Sequence, residues 1–192
     1  MVVWCDRTRE AVIFDAPGDG EEILREIETL DLKPLYLVNT HGHMDHIEAN
    51  GTIKTRLGIP LLIHDADRPM LTDPAKNLSL YIGKPVISPD ADGALAEGDS
   101  LRVGNDSLKI LHVPGHSPGS LVFHYEGFVI AGDTLFAGGI GRTDFPGGSE
   151  QVLLQNIRSK ILSLPPETVV YPGHGPTTTV GEERRTNPFL RE

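Results

Sequence analysis

Three histidines and one aspartate lie within residues 40–46, which read THGHMDH. Neither a helix nor a strand needs such a cluster, whereas imidazole and carboxylate groups are ligands that zinc, iron and manganese accept. Three further glycine-containing stretches, at residues 114–117, 132–134 and 172–175, carry the same residue types. The four stretches together offer seven candidate metal ligands: His41, His43, Asp45, His46, His116, Asp133 and His174.

The number of these ligands predicts two metal ions. One tetrahedral ion that keeps a position for water uses only three protein ligands. Two ions about 3.5–4 Å apart, sharing a carboxylate and a water, would use all seven and could both supply a nucleophile and polarise a substrate oxygen. Without a thiolate in the set, we expect two divalent ions, with zinc favoured and iron or manganese also accepted by these ligands.

The remaining histidines and the single cysteine have simpler interpretations. His64, His112 and His124 lie outside the glycine-containing stretches and are interpreted as surface or hydrogen-bonded residues. Cys5 is interpreted as a buried structural thiol, because no motif surrounds it. One cysteine cannot form an intramolecular disulfide, which fits a reducing compartment.

The four stretches follow predicted strands, and strand ends on one side of a sheet converge on binding sites in α/β proteins. Alternating or continuous apolar residues predict strands at 2–5, 10–15, 35–38, 60–63, 101–103, 108–112, 121–125, 128–131 and 168–171. Helical spacing of apolar residues predicts helices at 21–30, 47–57, 65–71 and 152–162, with a terminal helix from 182. Residues 132–148 form a long glycine-rich loop, and residues 73–89 have no clear assignment.

Length and charge limit the range of functions. A chain of 192 residues is expected to form one domain, spanning residues 1–192. Its net charge of −10 argues against general binding to nucleic acid or an anionic membrane, which need clustered Lys and Arg. We find no signal peptide and no apolar run of about 18 residues, so a cytoplasmic location is expected. The oligomeric state is not predicted.

The order of these motifs resembles one family. The run His41-x-His43-x-Asp45-His46, followed by GHSPGS at 115–120, GDTLF at 132–136 and YPGHG at 171–175, is similar to the metallo-β-lactamase fold superfamily. Within it, the chain most resembles the glyoxalase II-like, or hydroxyacylglutathione hydrolase-like, hydrolases. The likeness extends from about Val2 to Phe189. It implies an α/β (α+β) fold in the form of a four-layer αββα sandwich.

The resemblance also implies a ligand set and a reaction. His41, His43 and His116 would hold the first ion; Asp45, His46 and His174 would hold the second, with Asp133 bridging the two. Asp45 and Asp133 would be the catalytic carboxylates, with Asp45 orienting a metal-bridging hydroxide that attacks an acyl carbonyl. The expected substrate is a small acyl thioester such as S-lactoylglutathione. A mono-iron persulfide dioxygenase and a lactonase remain alternatives.

Several residues around the site have two interpretations. Arg142 lies where longer relatives place a glutathione-contacting lysine, so it is predicted to bind a substrate carboxylate; alternatively it pairs with Asp144 or Glu150 to brace the loop. Tyr81 and Phe136 could line the pocket or belong to the core. Glu182 and Asn187 resemble the closing segment of the family and are interpreted as structural residues that position the strand carrying His174.

Overall fold

The computed structural model describes residues 1–191, which form two compact units. The first unit contains Met1–Leu95 together with Ser100–Ser107, and the second contains residues 96–99 and the chain from Leu108 onward. The expectation that residues 1–192 are one domain stays a prediction. Each unit has its own sheet, helices and apolar core, and each is described separately below.

The sheet of the first unit has five strands in chain order: β1 (Val2–Trp4), β2 (Glu10–Phe14), β3 (Lys33–Val38), β4 (Leu61–Ile63) and β5 (Gly93–Ala94). β1 pairs antiparallel with β2, and all the later pairs are parallel. β2 reads EAVIF, and its last four residues are buried. This continuous burial is typical of parallel strands that are covered on both faces. A sixth strand, β6 (Ser100–Val103), also belongs to this unit.

Four helices follow the strands of the first unit: α1 (Glu21–Thr29), α2 (Met44–Ile47), α3 (Asn50–Leu57) and α4 (Arg68–Thr72). The helix predicted at 47–57 begins earlier, at Met44, and is interrupted at 48–49. Ala16 causes the interruption, because its N–H donates to His46 and its carbonyl accepts from Ala49. This exchange removes Ala49 from the regular helical hydrogen-bond ladder. Residues 73–89 contain a single 3₁₀ turn, Ser79–Ile82.

The second unit contains most of β7 (Asp106–His112), from Leu108 onward, together with β8 (Leu121–Tyr125), β9 (Phe128–Gly132), β10 (Leu135–Phe136), β11 (Gly139–Ile140), β12 (Val169–Pro172) and β13 (Thr178–Thr179). β9 is central, since it pairs antiparallel with β8 and parallel with β12. The predicted irregular loop 132–148 was wrong in part, because β10 and β11 form a hairpin inside it. Strands of two residues are too short to give an alternating pattern in the sequence.

Two helices complete the second unit. α5 (Glu150–Asn156) begins at Ser149, whose side chain accepts a hydrogen bond from the N–H of Val152, and continues into a π-helical turn, Ile157–Ile161. α6 (Val180–Thr186) begins two residues before the predicted position and is capped by Thr179. Leu153, Ile157 and Ile161 pack against Val122, Val129 and Val170 of the sheet in one apolar core. The helices therefore hold the strand ends that carry the candidate ligands. Within the described part of the chain, no helix combines the length and apolarity that crossing a membrane requires.

Candidate metal centre

The first unit brings four of the predicted ligands together. β3 ends at Val38, and His41, His43, Asp45 and His46 follow in the turn and first residues of α2. The ring of His41 lies 4.8 Å from the ring of His43 and 4.1 Å from that of His46, centroid to centroid. The three imidazoles are buried, whereas Asp45 is exposed. Three imidazoles packed this closely would repel one another if protonated, so the arrangement suits neutral rings, the form that binds a metal.

Asp15 fixes two of these imidazoles and was missed by the sequence analysis. Its Oδ2 accepts from Nδ1 of His46 at 2.9 Å and from the hydroxyl of Thr40 at 2.9 Å. Because that hydroxyl donates its only proton to Asp15, it accepts from Nδ1 of His41, 3.1 Å away. Both histidines therefore carry their proton on Nδ1, and Nε2 is the nitrogen with the lone pair. Carboxylates and hydroxyls orient metal-binding histidines in this way.

The backbone of Asp15 also departs from ordinary geometry. Its φ is +57°, in the left-handed region that few residues other than glycine adopt. The strained residue lies directly after β2, and its carboxylate also accepts from the backbone N–H of Thr40 at 2.8 Å. Strain of this kind is retained where the surrounding contacts determine it. A signal was present in the sequence, because the predicted strand at 10–15 ends at Asp15, and the predicted ligands also lie near strand ends.

Asp67 supports the same turn from the other side. It is fully buried, and its Oδ2 accepts from the N–H of Gly42 at 3.0 Å. A side chain at Gly42 would have its Cβ 2.6 Å from Cβ of Met70, closer than real contacts allow. Glycine is therefore needed between His41 and His43 so that the turn can approach α4. Asp67 lies in the turn before α4, at its N-cap position, but its side chain makes no cap hydrogen bond.

The second unit brings the other three predicted ligands together. His116 follows β7, Asp133 follows β9, and His174 follows β12. Oδ2 of Asp133 lies 3.7 Å from Nε2 of His116 and 3.6 Å from Nε2 of His174. Nδ1 of His116 lies 2.7 Å from the carbonyl oxygen of Arg142. A carbonyl only accepts, so Nδ1 of His116 carries the proton and Nε2 carries the lone pair.

The donor set fits metal ions by its distances as well as its chemistry. Two ligand atoms that bind one tetrahedral ion at about 2.1 Å each lie about 3.4 Å apart. The spacing from Asp133 to His116 and His174 is close to this value, and so is the 3.7 Å between Oδ2 of Asp45 and Nε2 of His46. These distances are too long for hydrogen bonds. Each unit therefore brings together histidine and aspartate side chains at distances that suit ligands of a metal ion.

Arg142 is paired within its own loop. Its guanidinium donates two hydrogen bonds to Asp144, at 3.0 and 2.8 Å, and lies 4.3 Å from the ring centre of Phe145. The pairing with Asp144 raises the pKa of Arg142 and lowers the pKa of Asp144. Both side chains are about two-thirds exposed, so the pair is open to solvent. The predicted substrate contact of Arg142 stays a prediction, and the alternative pairing with Asp144 is present.

The remaining sequence interpretations concern residues outside the clusters. His64 Nδ1 accepts from the N–H of Ala66, and His112 Nε2 donates to the carbonyl of Pro118, so both are hydrogen-bonded as predicted. Cys5 is buried, as expected, and backbone hydrogen bonds, first from Asn105, lower the pKa of its thiol to about 7. Tyr81 is 72% exposed, which excludes the core interpretation for that residue.

Comparison with known proteins gives consistent matches along most of the chain. Residues 1–174 match the family model described as the Metallo-beta-lactamase superfamily. A Bacillus subtilis protein named probable metallo-hydrolase YqgX is 42% identical over 185 residues, covering 94% of this chain and 87% of that protein. Hydroxyacylglutathione hydrolase GloC of Haemophilus influenzae is 38% identical over 194 residues, covering 98% of this chain and 91% of GloC.

Solved structures match with similar coverage. The BLEG-1 B3 metallo-beta-lactamase has a TM-score of 0.95 and 42% identity, covering 100% of this chain and 93% of that chain. TTHA1623 in a di-iron-bound form has a TM-score of 0.87 and 37% identity, covering 99% of this chain and 93% of that chain. ETHE1 from Myxococcus xanthus has a TM-score of 0.77 and 29% identity, covering 97% of this chain and 76% of that chain.

Proposed function

Because the chain belongs to the metallo-beta-lactamase superfamily, we propose that it is a dinuclear metal-dependent hydrolase that cleaves a glutathione-type acyl thioester. The superfamily and its fold, expected from the four motifs, are confirmed by the family match and by the solved neighbours. A metal-dependent hydrolase is the function that this membership supports. The substrate class and the number and identity of the metal ions go further and are the proposal.

The observation that carries the proposal is the hydrogen bonding of the histidines. In His41, His46 and His116, an oxygen partner holds Nδ1, which leaves Nε2 as the coordinating atom. A purely structural histidine has no need of such uniform orientation. We therefore keep as proposed ligands His41, His43, Asp45, His46, His116, Asp133 and His174. Zinc is our first choice, although TTHA1623 was solved with two irons and the ligand types accept both metals.

The chemistry follows from what such ligands hold in place. Divalent ions bound by these residues would lower the pKa of a bound water towards about 7 and polarise an acyl carbonyl. Asp45, exposed and 3.7 Å from Nε2 of His46, is placed to accept a proton from such a water and to orient it. Asp133, only 12% exposed, keeps its carboxylate fixed between His116 and His174. The name of GloC supports a hydroxyacylglutathione as the substrate.

The first prediction concerns substrate and metal together. The purified protein, loaded with zinc, is expected to hydrolyse S-D-lactoylglutathione, because the ligands would hold the activated water beside the thioester carbonyl. Chelation should abolish turnover, and added metal should restore it. The measurement is the loss of thioester absorbance, with initial rates taken before chelation, after it and after metal is returned. A fully metallated sample without turnover would remove this substrate assignment but leave the fold intact.

Two neighbours make specific alternatives worth testing in the same experiment. The very similar structure of BLEG-1, named a B3 metallo-beta-lactamase, favours trying a chromogenic β-lactam. The likeness to ETHE1 keeps the persulfide dioxygenase alternative under test, through oxygen uptake with glutathione persulfide. A lactone substrate tests the third alternative. The thioesterase proposal expects the largest kcat/KM for the thioester, and a larger value for any of the others would replace it.

The second prediction tests the proposed contact between Arg142 and a substrate carboxylate. Arg142→Ala is expected to raise KM for the anionic thioester about tenfold with little change in kcat, since it removes a charge-assisted hydrogen bond that solvent exposure has already weakened. The matched control is Asp144→Ala, which removes the partner of Arg142 but leaves its guanidinium available. Steady-state kinetics of both variants provide the measurement. Equal effects of the two substitutions would instead assign Arg142 to bracing the loop.

A further inference from the structure

The hairpin of β10 and β11 is fastened at its turn by two buried side chains. Phe136 pairs with Gly139 across the hairpin, and Gly138 lies between them with a φ of +74°. The N–H of Gly138 donates to Oε2 of Glu183 at 2.9 Å. The carbonyl of Gly139 accepts from Nδ2 of Asn187 at 3.0 Å. Glu183 thus binds the N–H of Gly138 in the turn, and Asn187 binds the carbonyl of the next residue, Gly139.

Glu183 is a buried carboxylate whose bonds join three segments of the second unit. It is 1% exposed and accepts from Gly138, from Thr178 Oγ1 at 2.7 Å and from Nδ2 of Asn187 at 2.7 Å. Burial of a carboxylate is unfavourable unless it is hydrogen-bonded. The bonds of Glu183 link α6, the β10–β11 hairpin and β13, which begins four residues after His174. Glu182, beside it in the sequence, is half-exposed and pairs with Arg185.

The hairpin in turn contacts the least enclosed histidine of the second unit. The ring of Phe136 lies 6.4 Å from the ring of His174, centroid to centroid, at an interplanar angle of 63°. The side chain of His174 is 57% exposed, whereas that of His116 is 4% exposed. An exposed imidazole is surrounded by fewer atoms that could restrict its rotation. The aromatic contact with Phe136 is therefore one of the contacts that restrict the orientation of His174.

We propose that Glu183 is a positioning residue, which fixes the turn of the β10–β11 hairpin and, through Phe136, orients His174 for metal binding. The inference rests on the proposed function only in taking His174 as a metal ligand. It concerns the affinity for metal and does not depend on which substrate is cleaved. It also accounts for the buried pair Glu183 and Asn187, which lies outside the ligand set.

The test is metal binding to the metal-free protein, measured by competition with a chromogenic zinc chelator. His174→Ala first identifies the zinc ion that depends on this ligand. Glu183→Ala and Phe136→Ala are each expected to lower the affinity for that zinc ion about tenfold, within the range for residues that support a metal ligand. Glu182→Ala, the matched control at the neighbouring half-exposed carboxylate, should bind both ions like the wild type. The double variant Glu183→Ala, Phe136→Ala should bind this zinc ion no more weakly than Phe136→Ala alone.

Each outcome decides the proposal. Wild-type zinc affinity in Glu183→Ala would overturn the proposal. It would also be overturned if the fold-losses of zinc affinity in the two single variants multiplied in the double variant, because Glu183 would then act by a route other than Phe136. A wild-type protein without an ion that depends on His174 would overturn it as well. If Glu183→Ala does not fold, Glu183→Gln, which keeps the volume, carries the test with a smaller loss in the same direction. Two bound ions with no thioester turnover would refute the proposed substrate and leave this inference standing.

Discussion

Replacing Asp133 with asparagine is expected to lower kcat/KM for the thioester by about 10³-fold or more. The substitution keeps the size of the side chain but removes the negative charge of Oδ2, which lies 3.6–3.7 Å from the Nε2 atoms of both His116 and His174. A carboxylate that serves metal ions supports transition-state stabilisation of several kcal/mol, and each 1.36 kcal/mol is tenfold in rate. We also expect the variant to bind fewer zinc ions per chain.

Initial rates and zinc content, both measured after the same metal loading, test this prediction. The control is Asp65→Asn, which alters an exposed aspartate outside the ligand set and should leave rate and zinc content unchanged. Thermal unfolding of both variants separates a loss of metal from a loss of structure. If Asp133→Asn kept its rate within tenfold of the wild type, the assignment of Asp133 as a shared ligand would have to be abandoned.

The predicted ligands were found because their signal is local. Each lies within a few residues of a predicted strand end, and glycines mark the turns that follow. The parallel pairing of β2, β3 and β4 was also predictable, since apolar strands alternate with a helical pattern over residues 10–63. Strand, helix and turn signals of this kind depend on neighbours in the sequence. The elements that they predict are therefore present in the structure, with their ends shifted by a few residues.

The supporting residues were harder to predict because their partners are distant in the sequence. Asp15 acts on Thr40 and His46, 25 and 31 residues away, and its place at the end of a predicted strand does not by itself distinguish it from a turn residue. The C-terminal segment shows the same difficulty for two adjacent residues. Glu182 was predicted to be the structural residue, but the structure buries Glu183 and leaves the side chain of Glu182 45% exposed. Adjacent glutamates are equivalent in the sequence, and only the packing of α6 separates them.

The predictions on partners and compartment have a different basis. They depend on the net charge of −10 and on a single cysteine, both of which are properties of the whole chain. A small-molecule substrate, no nucleic acid or membrane partner, and a cytoplasmic location therefore stay predictions. The contacts of individual residues, which support the metal clusters, do not bear on them.

Gly141→Ala is expected to destabilise the protein by about 3 kcal/mol, at the upper end of the usual range for overpacking. A Cβ at this position would lie 1.8 Å from the carbonyl oxygen of Asp133 and 3.1 Å from Cβ of His116. The first contact is with backbone, which cannot rotate away as a side chain could. Since Gly141 is buried between two predicted ligands, the methyl group must displace at least one of them. The loss of stability should therefore be accompanied by a loss of bound zinc.

The matched control lies two residues earlier in the same hairpin. A Cβ at Gly139 would lie 3.8 Å from Phe136, an ordinary contact, so Gly139→Ala should be close to neutral. For a chain of this size, about 3 kcal/mol corresponds to a decrease in Tm of roughly 6–12 °C. Calorimetry of the two variants, with zinc content measured on the same samples, provides the comparison. Equal Tm values would mean that the loop between Asp133 and Arg142 can shift without strain, and its close packing would then not be what places Asp133 and His116.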